Sequence, residues 1–181
     1  MKRNRNKNYA LFARLCLVLL TCGMTLASCS DWDDHFDESA IKSDSQEIYN
    51  GDIVSYLKST AELSQMSQMF QKNGIYDSTY TNKTYTFIVC DNNGMSAHAD
   101  EISGEEAQAN FALNSVSDME VAPSMLKDGL GVQTRFGKCV WVYKRGNGFC
   151  FDENNVTKCV KTNNGYVYYV DGIVPIRLSV Y

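Results

Sequence analysis

Two histidines, His35 and His98, are the whole imidazole inventory of this 181-residue chain. Serine or cysteine catalysis needs a base within hydrogen-bond reach of the nucleophile. Only His98, eight residues after Cys90, offers such a pairing, and no nucleophile signature surrounds either residue. A loop histidine without such a setting is more often solvated than catalytic. Glu105 and Glu106 are adjacent on a helical stretch and so point in different directions. The phosphate-cradling glycine loop, the dinucleotide fingerprint and the paired-histidine zinc helix are all absent. The tract from Ser30 to Glu38 packs five acids around His35, but it has no glycine and no closing Glu at the calcium-loop offset. It reads as a solvated, self-repelling run, not a metal site. The expectation is a chain without catalytic residues, metal or cofactor.

Cysteine chemistry needs a register. Beyond Cys16, Cys22 and Cys29 lie Cys90, Cys139, Cys150 and Cys159, with no Cys-x-x-Cys spacing that would suggest zinc. An exported chain permits disulfides, and four cysteines allow three pairings. Buried free thiols packing as small hydrophobes are the alternative, and both stay open. A turn near Asn147 puts Cys139 opposite about residue 155, so a direct Cys139–Cys150 bond is out of register.

Residues 1–28 are an address. Lys2, Arg3, Arg5 and Lys7 form a basic start, and an apolar run from Leu15 to Leu26 follows. That run is too short to span a bilayer, which takes about 20 residues, but fits a secretory signal. Leu26-Ala27-Ser28-Cys29 resembles a bacterial lipobox, which makes Cys29 the lipidation site. A lipid there anchors the chain without spanning the membrane. Removal of 1–28 leaves 12 basic against 21 acidic residues, net −9. That surface repels nucleic acid and makes the lipid, not charge, the membrane anchor. Residues 29–49 are an acidic tether. Acids directly after the lipid cysteine resemble the surface-export signals of Bacteroidetes lipoproteins, which implies the outer face of the outer membrane.

The remainder, 50–181, is one domain. Ile53, Val54 and Leu57 share a helical face, and Ser59-Thr60-Ala61-Glu62 fits a capping box for a second helix carrying Leu63, Met66, Met69 and Phe70. Gly74 is its expected C-terminal cap. Tyr85 to Cys90 is a strand, Asp91-Asn92-Asn93-Gly94 a turn, and Ser103-Gly104-Glu105-Glu106 a second capping box. Strands are predicted over 132–136, 138–145, 148–153, 156–161, 165–170 and 173–178, with close turns between them. Helices first and strands last make an α+β domain.

These blocks resemble a fasciclin domain. Tyr85 to Met95 sits where that family has a strand running into its first block. Asn164-Gly165-Tyr166-Val167-Tyr168-Tyr169-Val170-Asp171-Gly172-Ile173-Val174-Pro175 is similar to its second block, and Thr134-Arg135-Phe136-Gly137-Lys138 to a strand opening between them. Cys90-Asp91 stands where the family has Ala-Pro, and Asn114-Ser115 where it has a pair ending in His. The resemblance covers about 50–181. It implies N-terminal helices packed on a mostly antiparallel C-terminal β-sheet wedge. Asp171-Gly172 alone reads as a hairpin turn; the family places a bend there, which we adopt.

The resemblance implies a non-catalytic binding module. The partners it suggests are a Sus-like TonB-dependent nutrient importer with its lipoprotein lid; the alternative is a free-standing adhesin for glycans or proteins. A short tether suits docking on a neighbouring membrane complex, whereas adhesins gain reach and avidity from tandem domains. Trp141 and Tyr143 are the candidate binding patch, able to stack on a sugar or contact a protein. Asp77-Ser78-Thr79 resembles the O-glycosylation motif of Bacteroidetes exported proteins, with Ser78 as acceptor.

Overall fold

The computed structural model describes residues 46–174 and residue 176. The signal segment, Cys29 and the acidic tract lie outside the described residues.

Helix α1 (Ile53–Ser59) starts at Asp52, whose carboxylate accepts from Ser55 N at 2.7 Å, and buries Ile53, Tyr56 and Leu57. Val54 is only partly buried, so Tyr56 takes the place on the inner face that the sequence assigned to it. The Ser59 capping box does not form. Ser59 closes α1 instead, donating its hydroxyl to Tyr56 O at 3.1 Å, beside Thr60 Oγ1 at 2.7 Å on the same carbonyl. Short hydroxyl side chains compete for carbonyls at helix ends, and here that competition won. A 3-10 turn, Ala61–Leu63, leads into α2 (Ser64–Lys72), which buries Met66, Met69 and Phe70. Gly74 ends it as expected, at φ +69°, with Ile75 N on Phe70 O and Gly74 N on Gln71 O. That is the paired bonding of a Schellman cap.

Asp91 to Gly94 is not a turn but the start of α3 (Asn92–Ala97), with the Asp91 carboxylate accepting from Gly94 N at 2.8 Å. Asp serves turns and helix N-caps by the same side-chain bond. The second capping box also fails. Helix α4 (Glu105–Asn114) begins at Gly104 with φ +93° and no side-chain cap, while Ser103 Oγ donates back to Asp100 O.

The strands are β1 (Glu47–Ile48), β2 (Tyr85–Val89), β3 (Val116–Ser117), β4 (Leu130–Gln133), β5 (Cys139–Arg145), β6 (Gly148–Phe151), β7 (Asn154–Thr162) and β8 (Gly165–Val170). Among the described residues they form one eight-stranded sheet, ordered β3-β2-β8-β7-β6-β5-β4, with β1 on β7. The antiparallel C-terminal sheet holds for β4 to β8, but β2 joins β8 and β1 joins β7 in parallel. The sheet is therefore mixed. Every residue of β2 and β8 is buried, the pattern of strands covered on both faces.

The two ends of the strand order meet. Ser117 Oγ of β3 donates to Gln133 O of β4 at 2.6 Å, and Arg135 N donates to Val116 O at 2.8 Å. The sheet thus curls nearly into a barrel rather than standing as an open wedge. The predicted strand at 173–178 is absent over Ile173, Val174 and Ile176. The carbonyls of Ile173 and Val174 are taken by the side-chain amides of Asn154 and Asn114 instead of by a strand. Asp171-Gly172 is a bend, as adopted.

Candidate functional site

Alternation along β5 sends Val140 and Val142 into the core and Cys139, Trp141 and Tyr143 outward. Trp141 is 45% exposed and Tyr143 44%. The indole lies flat across Gly131, its partner on β4: a Cβ there would come within 3.2 Å of Trp141 Cζ3. A ring laid over a strand glycine covers backbone that no side chain shields. Trp141 N donates to Asp152 Oδ1 at 3.0 Å, and Lys144 N to Asp128 Oδ1 at 2.9 Å, so both acids beside the rings are turned onto backbone. The structure brings Trp141 and Tyr143 to one outward face. Tyr166, Tyr168 and Tyr169 of β8 are buried and take no part in this face.

Ser78 is exposed at the end of a 3-10 turn, Tyr76–Ser78. Its hydroxyl donates to Ile75 O at 3.0 Å and accepts from Arg135 Nη1 at 3.0 Å. Arg135 also pairs with Asp118 at 2.8 Å and lies 5.1 Å over the Tyr85 ring. Arg135 thus closes the β3–β4 seam and holds the Ser78 turn, a role its sequence neighbourhood did not reveal.

Among the described residues no arrangement resembles a nucleophilic site. Burial, with help from the Asp91 charge, pushes the Cys90 thiol up to about 12, so it stays protonated at neutral pH. The His98 ring meets Glu101 Oε1 at 2.7 Å. His98 borders a groove of ≈ 600 Å³ with Glu62, Asp91, Lys158, Tyr169 and Asp171. Among the described residues no group of three or more His, Cys, Asp or Glu side chains is placed to hold a metal ion. Cys90, Cys139, Cys150 and Cys159 are all free thiols, and Cys150 sits opposite Tyr143, not Cys139.

A buried polar knot escaped the sequence reading. Asn114 Oδ1 accepts from Thr134 Oγ1 at 3.1 Å, and Asn114 Nδ2 reaches Val174 O at 3.5 Å. It ties the end of α4 to the turn before β5 and to the segment after β8. The only sequence sign was its place in the blocks that resemble the fasciclin family.

No protein-family model matches this chain, and no curated protein does. Solved structures do. One is a FAS1 domain pair from the insect cell adhesion molecule fasciclin I, at 18% identity and a TM-score of 0.54. The match covers 71% of this chain and 51% of that one, so this chain spans about half the length of the domain pair. At that identity the likeness carries the fold: helices with a mixed, nearly closed sheet of the FAS1 type.

Proposed function

We propose that this chain is a surface-exposed outer-membrane lipoprotein whose fasciclin-like domain is a non-catalytic binding module, working as an accessory subunit of a Sus-like TonB-dependent nutrient importer. Cys29 carries the lipid, the acidic tract directs surface export, and Ser78 is the O-glycan acceptor. The outward face of β5 is the ligand-binding face.

The observation that carries this reading is the pair Trp141 and Tyr143, half-exposed side by side on a FAS1-type fold. Large aromatic side chains are normally buried, and two presented together on a rigid strand suit a binding surface. The Cys90 thiol, buried and held protonated, favours binding over nucleophilic catalysis.

A second reading is a free-standing adhesin. It is favoured by the structural neighbour, which comes from a cell adhesion molecule.

The test is recovery of the tagged lipoprotein from native outer membranes in mild detergent, followed by mass spectrometry. Stoichiometric recovery of an importer barrel and its lipoprotein lid is expected. Recovery of the protein alone sinks the accessory role and leaves the adhesin.

A further inference from the structure

We propose that the outward face of β5 is a platform for an uncharged, linear oligosaccharide, with Trp141 and Tyr143 stacking on neighbouring sugar rings. The inference rests on the reading of β5 as the binding face and names its ligand class.

Geometry comes first. The inner face of the Trp141 indole lies against Gly131, where an added Cβ would come within 3.2, 3.4 and 3.5 Å of three ring atoms. One face of the ring is therefore covered by that strand, and the side chain as a whole remains 45% exposed. Tyr143 stands two residues along the same strand, about 6.8 Å away on the same side. The C–H faces of a pyranose are its apolar, slightly positive surfaces, and the face of an aromatic ring is negative. Two platforms along one strand match a ligand that repeats its rings along one axis.

Size argues against a protein partner on these rings alone. Aromatic side chains bury about 150–250 Å² each, so two half-exposed rings offer on the order of 200 Å², against roughly 800 Å² per partner in a stable protein interface. The patch has the scale of a small ligand's rings.

Charge argues for a neutral one. Asp152 and Asp128 accept backbone N–H groups at 3.0 and 2.9 Å, and Arg145 donates to Glu153 O at 3.0 Å. Lys138, Lys144, Asp152 and Glu153 each have further partners. Three cations, Lys138, Lys144 and Arg145, and three anions, Asp128, Asp152 and Glu153, flank this face, so it offers no single-sign field to an ionic ligand. An uncharged, polyhydroxylated ligand needs none.

The experiment is calorimetric titration of the full-length lipoprotein in mild detergent with xylohexaose, cellohexaose, maltohexaose and an anionic oligogalacturonate. At least one neutral hexasaccharide is expected to bind, the oligogalacturonate is not, and Trp141→Ala weakens binding about tenfold or more. A control for misfolding of that variant uses the exposed native Cys139, two residues from Trp141. Coupling a bulky maleimide-polyethylene glycol there blocks the platform without altering either ring, and it too abolishes binding. The inference is overturned if no neutral hexasaccharide binds, if the anionic one binds best, or if the variant and the labelled protein bind like the parent. Where sugars fail but Trp141→Ala still loses a membrane partner in the pull-down, the ligand class falls and the binding face stands. A Trp141→Ala protein unchanged in both overturns both.

Discussion

The hydroxyls of Tyr56 and Tyr169 meet at 2.8 Å, 113 residues apart in sequence, and pin α1 to the central strand β8. Both side chains are almost fully buried. Burial first, then the hydrogen bond with Tyr56, pushes the Tyr169 phenol above its usual range. Removing either hydroxyl takes this bond from a buried partner, at about 1–3 kcal/mol, with Tyr56→Phe at the low end because Tyr169 also bonds the Glu62 side chain. Tyr56→Phe and Tyr169→Phe are each expected to destabilise by that amount in urea unfolding. The double variant loses less than the sum, because no polar group is then stranded.

Alkaline pH weakens the fold. Burial raises Cys90 and Cys159 from 9.0 to about 12, and it raises Tyr76, Tyr168 and Tyr169 in the same direction. Below the unfolded thiol value both states hold the proton, and these groups add no slope. From about pH 9 the unfolded chain loses protons that the folded chain keeps, so stability falls with rising pH toward 12. Urea midpoints measured from pH 7 to 11 are expected to be flat to about pH 8.5 with respect to these thiols and then to drop. The Cys90→Ala/Cys159→Ala protein shows a shallower drop.

The four domain thiols differ in access. Cys139 is exposed, while Cys90, Cys150 and Cys159 are buried. A disulfide-exchange reagent added to the native protein is expected to titrate one of these four rapidly, and the other three only in denaturant. A second fast thiol from the domain contradicts this packing.

Gly165 opens β8 at φ +134°, and a Cβ there would strike the Tyr85 carbonyl oxygen on the parallel neighbour β2. The obstacle is backbone, which cannot rotate away. Gly165→Ala is expected to cost about 3 kcal/mol or more, or to prevent folding. Gly74→Ala, also at positive φ but with open space around its Cβ, costs only about 1 kcal/mol. Comparison of the two thermal midpoints checks the difference.

Trp141→Ala separates binding from folding. The side chain is half in water, so only about half of its area is lost from burial, and about 1–3 kcal/mol of stability should go with it. Thermal unfolding of the variant reads this directly. A loss of several kcal/mol would make Trp141 a structural residue instead.

Local signals in the chain were sufficient for what local forces decide. The stripe Leu63, Met66, Met69, Phe70 and the following Gly74 specify α2 and its cap, because periodicity and a left-handed glycine act within one or two turns. Alternation specified that Trp141 and Tyr143 share a face, and hairpin register ruled out a Cys139–Cys150 bond, since both follow from a two-residue repeat. The capping boxes at Ser59 and Ser103 misled, because a hydroxyl can satisfy a nearby carbonyl as readily as a helix N-terminus. Tertiary structure alone decided the rest. The parallel match of β2 to β8, the Asn164 amide oxygen accepting from Ile53 N to seat α1, and the Arg135 bridge from Asp118 to Ser78 join residues that are far apart in sequence. Such contacts form only when distant segments are already held together by burial of the core, and no neighbourhood in the chain encodes them singly. That is also why two aromatic residues share a platform: their spacing is sequential, but the glycine beneath one and the Asp152 carboxylate that accepts its backbone N–H come from β4 and the turn after β6.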